Sequence, residues 1–287
     1  MKVHYEVYPP TLGQAMHRIC RELKKWAPTH VQFVPAPQAD VQIVDAVGRG
    51  FLHEAVRHER IVILQHCART AGESEWWLPH WRKALLVVSY HDLYNFAKAS
   101  DFPFLRVPWG VDGETFYNYR DHRDLAVLTF GYDDGQEAIR ECHTAASLVG
   151  QVGVHVNARF PWMDEIPVQR VDNISDARLR DLYNRCRYVS GLRRIEGFEL
   201  PVLEGLACGA RPIVFDTPNT RHWFGNHAMF VPEVEPEALM RSLRVILSED
   251  PPPISEEERK AVLTNFGWDI VARTIWRGIE EATWITA

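Results

Sequence analysis

Short apolar runs alternate with helical stretches along most of this 287-residue chain. A typical run is 61–64, which reads Ile-Val-Ile-Leu and has the β-branched and aliphatic residues that strands favour. Strands that alternate with helices are the pattern of parallel sheets covered by helical crossovers. The alternation therefore predicts an α/β protein.

Two groups of strands are predicted, one in each half of the chain. The first sheet is expected to use 3–8, 30–34, 41–44, 61–64 and 85–89, and the second 126–130, 153–157, 187–190, 212–215 and 229–231. Helices are expected at 12–26, 50–58, 91–99, 134–148, 175–185, 201–208 and 236–248. A chain of this length has room for two domains, each able to bury a core.

Composition excludes several classes of protein. The hydrophobic share of 46% and the charged share of 24% are ordinary for a globular enzyme. No run approaches the roughly 20 apolar residues of a membrane span, and no signal-peptide core follows Met1, so a cytoplasmic location is expected. Five cysteines without a CxxC pair argue against a disulfide framework or structural zinc. A net charge of −6 gives no global electrostatic case for nucleic-acid binding.

The segment 196–204, Glu-Gly-Phe-Glu-Leu-Pro-Val-Leu-Glu, is the most informative for function. Pro201 suits the start of a helix, because its φ is already helical and its missing N–H is not needed there. The unpaired amides before that helix, together with its dipole, attract an anion such as a diphosphate. Gly197 would let such a ligand approach the backbone closely. Glu196 and Glu204 would then accept hydrogen bonds from hydroxyl groups on either side of the anion.

Glu204 is also the only charged residue in the apolar run 200–209. A buried charge is costly unless it is paired or hydrogen-bonded, so this carboxylate either opens into a cleft or has a partner. The alternative is a glutamate in the first helical turn that the helix dipole stabilises, and the pattern alone favours it.

The stretch 196–214 resembles the Glu-x7-Glu signature of the retaining glycosyltransferases of family 4, which have the GT-B fold. The resemblance implies two Rossmann-like domains with parallel sheets that face each other across a cleft. In that family the first glutamate, here Glu196, lies against the donor sugar and is a candidate catalytic residue, while the second, here Glu204, binds the ribose. The amides of Phe198, Glu199 and Leu200 are expected to contact sugar and diphosphate. Glu199 stands where the family usually has a second glycine, so it either reshapes sugar selection or points to solvent.

Three further segments resemble the same family in the same order along the chain. The stretch 107–116 resembles the close of the N-terminal domain, and 266–272 resembles the start of a C-terminal helix that crosses back towards it. Gly13 matches the glycine-rich loop after the first strand and is a candidate donor-binding residue. The implied domains are an acceptor-side domain at 1–117, a nucleotide-sugar-binding domain at 118–268 and a returning helix at 269–287.

His66 ends the apolar run 61–66, at the carboxyl edge of a predicted strand, where open α/β sheets bind ligands. Family members often carry a histidine after that strand, facing the cleft near the transferred sugar, so the resemblance makes His66 a candidate catalytic residue. A lone histidine is otherwise more often structural.

The basic residues that bind the diphosphate in this family are absent from the matching stretch, 130–136. Arg193 and Arg194, just before the motif, are the predicted replacements, because a guanidinium binds phosphate oxygens with two hydrogen bonds. Arg159 is another candidate, and a solvated surface role is the alternative for all three. Asp134 followed by Glu137 is typical of a helix N-cap with its capping-box partner rather than of a metal site.

Two other groups of residues invite a functional interpretation. His222 and His227 lack the spacing of a helical zinc pair. Trp76, Trp77 and Trp81 form either an aromatic platform for a sugar or base, or a packing cluster, and packing is the commoner role.

Together, residues and resemblance predict a glycosyltransferase that moves a sugar from a nucleotide-diphosphate sugar, a UDP-sugar or GDP-sugar, to a hydroxyl acceptor with retention of configuration. No cofactor or metal is expected, since helix amides and arginines would stabilise the departing diphosphate. The resemblance implies front-face attack with the leaving phosphate assisting deprotonation. Two alternatives stay open, an enzyme that glycosylates hydroxymethylated bases of viral DNA, and a catalytically silent module that binds a nucleotide sugar or a partner protein.

Overall fold

The chain forms two compact units. The computed structural model describes residues 1–7, 10, 14–47, 52, 55–66, 73–120, 122–194, 198–249, 252 and 254–285. The first unit comprises Met1–Gly110 with Trp268–Ala287, and the second comprises Val111–Gly267. The first change of unit thus falls at residue 110, compared with the boundary expected at 117.

The first unit is built on a six-stranded parallel sheet. Its strands β1 to β6 are Lys2–Tyr5, Gln32–Phe33, Val41–Ala46, Ile61–Gln65, Leu86–Ser89 and Phe104–Arg106. Its helices α1 to α3 are Gln14–Lys25, Glu73–Trp81 and Leu93–Ala97. The strands lie in the order β2-β1-β3-β4-β5-β6, and β3, β4 and β5 are buried along their whole length. These three strands correspond to three of the five runs from which the sheet was predicted, 41–44, 61–64 and 85–89.

The second unit also has a six-stranded parallel sheet. Its strands β7 to β12 are Leu125–Gly131, Gly153–Asn157, Val168–Val171, Cys186–Gly191, Arg211–Phe215 and Met229–Val231. Its helices α4 to α10 are Asp134–Glu137, Ile139–Leu148, Asp176–Arg185, Leu200–Ala207, Pro218–Phe224, Pro236–Ser248 and Glu256–Phe266. The last helix, α11 at Trp268–Ile285, belongs to the first unit. The strand order is β12-β11-β10-β7-β8-β9, so the predicted pair of parallel sheets is confirmed.

Each sheet has a point at which the strand order reverses. In the first sheet β1 and β3 are neighbours, and the chain proceeds outward from them in opposite directions. In the second sheet β7 and β10 are the corresponding pair, which is the Rossmann arrangement. Open α/β sheets bind ligands outside the carboxyl ends of their strands at this switch point. Residues that follow β1, β3, β7 and β10 therefore define where a site is expected in each unit.

The helix predicted at 134–148 is interrupted, and its N-cap residue differs from the prediction. Ala138 has a φ of 49°, which ends α4 and separates it from α5. The N-cap is Asp133, whose carboxylate accepts a hydrogen bond from the backbone N of Gln136. The expectation that Asp134 caps this helix is therefore wrong, and Glu137 is not its capping-box partner.

Candidate functional site

Helix α7 begins where the sequence predicts. It starts at Leu200, with Pro201 in its first turn and Glu199 as the N-cap residue, whose side chain makes no capping hydrogen bond. The helix lies directly beyond the carboxyl end of β10, beside the switch point of the second sheet. Gly13, Glu196 and Gly197, three of the predicted site residues, lie outside the described residues.

Glu204 lies in the second turn of α7 with a side chain that is almost completely buried. The hydroxyl of Tyr183, on α6, donates a hydrogen bond of 2.9 Å to its Oε2 atom. No acidic residue occupies the first turn of α7, so the alternative of a first-turn glutamate is wrong. A carboxylate in this apolar helix needs such a partner, because an unsatisfied buried charge would be strongly destabilising.

Arg123 holds the helices that carry Glu204 and Tyr183 in register. Its Nη1 atom donates to the backbone oxygens of Tyr183, at 2.8 Å, and Cys186, at 2.9 Å, and its Nη2 atom donates to that of Cys208, at 2.7 Å. These carbonyls lie at the C-terminal ends of α6 and α7, where helices leave acceptors unpaired. Burial lowers the pKa of Arg123, and the hydrogen bonds compensate the desolvated charge.

The side chain of Phe198 is part of the core rather than of a ligand surface. It is 2% exposed, and its ring centroid lies 5.5 Å from that of Phe224 and 5.9 Å from that of Trp223. Leu200 is also buried. The predicted ligand contact at Phe198, Glu199 and Leu200 concerns backbone amides, and that role stays a prediction.

Arg193 connects two carboxylates at the switch point. It follows β10, and its Nη2 atom forms a short ion pair with Oε1 of Glu137, which follows β7. Its Nη1 atom lies 3.5 Å from Oε2 of Glu199. Glu199 is 7% exposed, so the alternative in which its side chain points to solvent is wrong. The predicted phosphate-binding arginine is thus already engaged by protein anions.

Glu137 was not predicted as a site residue, yet it is central to this arrangement. Its Oε2 atom accepts hydrogen bonds from the backbone N of Tyr132, at 2.7 Å, and of Asp133, at 2.9 Å. Gly131, which ends β7, has a φ of +117°, and a Cβ atom there would overlap the Glu137 carboxylate. The glycine therefore permits both the backbone turn and the close approach of the carboxylate.

The other two candidate arginines make protein contacts as well. Arg194 donates from Nη1 to the backbone oxygen of Gly135 at 2.7 Å, and its guanidinium lies 5.3 Å from the centroid of the Phe215 ring. The Nη2 atom of Arg159 donates to both carboxylate oxygens of Asp164, at 2.6 and 2.9 Å, and both side chains are largely exposed. Arg194 therefore contacts α4, which follows β7, whereas Arg159 has the surface role that was its alternative.

In the first unit, His66 directly follows β4 and is 4% exposed. Its Nε2 atom lies 2.7 Å from Oδ1 of Asp45, and the Tyr5 hydroxyl donates to the same oxygen at 3.3 Å. Burial first, and then the Asp45 carboxylate, raise the pKa of Tyr5 well above its ordinary value, so its proton stays in this hydrogen bond. The ring of Trp109 lies against the imidazole, with centroids 4.9 Å apart. These contacts hold His66 in one orientation at the carboxyl edge of the sheet.

The remaining candidates are structural. Trp77 and Trp81 are buried on α2 with their rings stacked, so the aromatic platform is wrong for these two residues and the packing alternative holds. Within the described ranges, no three His, Cys, Asp or Glu side chains cluster closely enough to hold a metal ion. His227 instead lies 3.6 Å from the carboxylate of Glu258.

Comparisons with known proteins find similarity in fold but not in sequence. No family model matches the chain, and no curated protein is similar to it in sequence. Solved structures do match. AviGT4, a glycosyltransferase involved in avilamycin A biosynthesis, superposes with a TM-score of 0.68 at 12% identity, over 99% of this chain and 97% of that one. Sucrose-phosphate synthase from Thermosynechococcus elongatus has a TM-score of 0.68 at 16% identity, over 87% of this chain and 75% of that one.

The fold is GT-B. HepE from Anabaena, solved in complex with UDP and glucose, matches with a TM-score of 0.68 at 13% identity, over 94% of this chain and 83% of that one. The chain spans only 54% to 60% of several longer matches. At such identities the likeness shows the GT-B fold alone. In the part of the chain that is described, every helix is too short or too polar to cross a bilayer.

Proposed function

We propose that this GT-B protein is a glycosyltransferase that moves a sugar from a nucleotide-diphosphate sugar to a hydroxyl acceptor with retention of configuration. The donor is held by the second unit, in the manner of family 4. Glu196 lies against the sugar, Glu204 accepts hydrogen bonds from the ribose hydroxyls, and the amides of 198–200 contact the diphosphate. UDP-sugars are the first donors to test, since HepE binds UDP and glucose.

The observation that carries this proposal is the buried carboxylate of Glu204. An apolar helix beside a switch point has no structural need for a charge, and a leucine there would pack without a partner. The Tyr183 hydroxyl donates a hydrogen bond to Oε2 and sets the orientation of the carboxylate. A carboxylate held in this way is suited to accept hydrogen bonds from a pair of neighbouring hydroxyls, as on ribose.

The proposed reaction needs no metal ion or cofactor. Negative charge develops on the departing diphosphate, and backbone amides at the start of α7 are preorganised donors for it. His66 is the proposed catalytic residue of the first unit, because Asp45 and Trp109 hold its imidazole in one orientation. With retention, the leaving phosphate assists deprotonation of the acceptor, so that no protein nucleophile is required.

Thermal unfolding with a panel of UDP-sugars and GDP-sugars tests donor binding, because a ligand that binds only the folded state raises its apparent stability. Glu204→Ala is expected to weaken nucleotide binding about tenfold or more, whereas Glu196→Ala is expected to lower mainly kcat. Glu237→Ala, which removes an exposed carboxylate on α9, is the matched control. Unchanged kinetics in both site variants, with the fold intact, would refute the assignment.

One structural observation favours a second candidate, the silent module. Arg193, the expected phosphate ligand, is paired with Glu137 and Glu199, which lowers the positive charge available to a departing diphosphate. Measurement of donor hydrolysis, and of transfer to small glycans and hydroxymethylated DNA duplexes, separates the candidates. Binding without hydrolysis or transfer would favour the module, and transfer to duplexes alone would favour the DNA-modifying alternative.

A further inference from the structure

The switch point of the second sheet carries a buried carboxylate in the position of a bound anion. Glu137 accepts hydrogen bonds from two successive backbone amides, those of Tyr132 and Asp133, immediately after β7. Its other oxygen is paired with the guanidinium of Arg193, which comes from the loop after β10. Successive loop amides and an arginine are the groups with which proteins bind phosphate. Here the protein supplies the anion itself.

The geometry of the loop is adapted to this internal anion. Gly131 is in a positive-φ conformation, and only the absence of its Cβ leaves room for the Glu137 carboxylate. The loop therefore has a backbone shape that aims its amides inward, as in concave anion sites, and the side chain of Glu137 fills the concavity. Glu137 itself is 7% exposed, so water competes little for these contacts.

The carboxylates of this cluster occupy the Arg193 guanidinium that a phosphate would otherwise bind. Glu137 and Glu199 both face it, so two carboxylates share one guanidinium. A diphosphate that approached this position would meet like charge and would find both the amides and the arginine occupied. Release of Glu137 would open the amides, while Glu199 would keep Arg193 in place. The carboxylate that blocks the position is therefore the one that has to move.

We propose that Glu137 is a built-in competitor of the donor diphosphate, which must be displaced from Arg193 and from the Tyr132 and Asp133 amides before the diphosphate is bound at the switch point. The identity of the anion as a donor diphosphate rests on the proposed function, but the existence of the anion position does not. The apparent Kd of such a site is the intrinsic Kd divided by the fraction of molecules in which the competitor is released. The wild-type protein is thus expected to bind diphosphates weakly.

Glu137→Gln tests this competition, because the amide keeps the shape of the side chain and loses its charge. Inorganic pyrophosphate and UDP are titrated calorimetrically into the wild type, Glu137→Gln and the control Glu237→Gln, which removes an exposed charge from α9. Glu137→Gln is expected to bind pyrophosphate about tenfold more tightly than the wild type, since most molecules would then be competent. Glu237→Gln is expected to match the wild type.

Pyrophosphate binding that is equal or weaker in Glu137→Gln would overturn the inference. A second outcome is that Glu137→Gln binds pyrophosphate more tightly than the wild type, while no variant binds UDP more tightly than pyrophosphate. The inference then stands and the nucleotide-sugar proposal fails. If Glu137→Gln does not fold, Glu137→Ala provides a second test. Its anion position lacks the carboxylate, so an anion from solution is expected to bind there. Phosphate should then restore its thermal stability where sodium chloride of equal ionic strength does not, and no restoration would also overturn the inference.

Discussion

The switch points of the two sheets are bridged by carboxylates in different ways. In the first sheet Asp45, at the end of β3, receives hydrogen bonds from Tyr5 at the end of β1 and from His66 after β4. In the second sheet Glu137 after β7 is joined to Arg193 after β10 by an ion pair. The first carboxylate is held by polar side chains, whereas the second is held by an arginine and two backbone amides.

This difference determines what each edge can do. The Asp45 carboxylate fixes an imidazole, an arrangement that suits proton transfer or a hydrogen bond to a hydroxyl. Glu137 neutralises the group that would otherwise attract a phosphate. The carboxylate at the switch point therefore orients a histidine in one unit and pairs with an arginine in the other.

The largest expected effect comes from removal of the carboxylate in the first unit. Asp45→Ala leaves the Tyr5 hydroxyl and the His66 imidazole buried without their acceptor, and each orphaned group costs about 1–3 kcal/mol. We expect the local free energy of unfolding to fall by about 4 kcal/mol. Native-state hydrogen exchange of the β3 and β4 amides measures this in the first unit by itself. Asp45→Asn, which keeps an acceptor oxygen, should lose about half as much, and equal losses would show that charge rather than hydrogen bonding holds the bridge.

In the second unit, Gly131→Ala is expected to have the next largest effect. The new Cβ would overlap the Glu137 carboxylate, and an alanine at a φ of +117° is strained. We expect a loss of about 3 kcal/mol in the free energy of unfolding, measured by hydrogen exchange in β7 and β8. Gly135→Ala lies four residues later in α4, where its Cβ would make only an ordinary contact with Asp133, and should change stability little. Equal effects in the two variants would mean that Glu137 moves aside easily.

Much of the fold could be predicted from local patterns, and the exceptions have physical causes. The strands β3 and β4 are buried along their length, and the stretches predicted for them, 41–44 and 61–64, are mostly apolar. The strands β6 and β9 were missed because they are short edge strands with half-exposed residues, which need no apolar run. Helix α2 was missed because Pro79 lies inside it, where a proline removes a backbone hydrogen bond and is rarely found.

The site could be predicted only where one segment carries the signal. Pro201 predicts the start of α7, and the apolar run around Glu204 predicts that its carboxylate needs a partner. The pairing of Glu137 with Arg193 joins residues 56 positions apart and depends on β7 and β10 being neighbours in the sheet. No local pattern contains that information, and the spacing of Asp134 and Glu137 suggested a capping box instead.

A smaller effect is expected from two histidines of the second unit, His143 on α5 and His155 in β8, which, unlike His66, have no carboxylate partner among the described residues. The Thr129 hydroxyl lies 2.8 Å from Nε2 of His143 and 2.9 Å from Nδ1 of His155. Burial lowers the pKa of His143 from 6.5 to about 3 and, together with the positive charge of Arg170, that of His155 to about 4. Both rings are therefore neutral in the folded protein at pH values where the unfolded chain is protonated.

The sign of the pH dependence follows from this difference. Below pH 6.5 the unfolded state binds more protons than the folded state, so stability is greatest above pH 6.5 and falls as the pH drops towards 4. Each histidine contributes a slope of about 1 kcal/mol per pH unit. Urea denaturation between pH 7 and pH 5 measures it, and His143→Gln is expected to remove about half of the slope from this pair. His122→Gln, at an exposed position, is the control, and a slope that persists unchanged in His143→Gln would contradict the prediction.

The smallest effect is expected at Arg159, and it sharpens the comparison of the two switch points. Its ion pair with Asp164 is exposed, and such pairs contribute about 0–1 kcal/mol, so Arg159→Ala should leave stability nearly unchanged. If the anion position lies between β7 and β10, Arg159→Ala should also bind pyrophosphate as the wild type does. Arg193→Gln combined with Glu137→Gln should then lose the gain in affinity that Glu137→Gln shows alone. Weaker pyrophosphate binding in Arg159→Ala alone would move the anion position to the end of β8, and the Glu137–Arg193 pair would then be a structural bridge like that of Asp45.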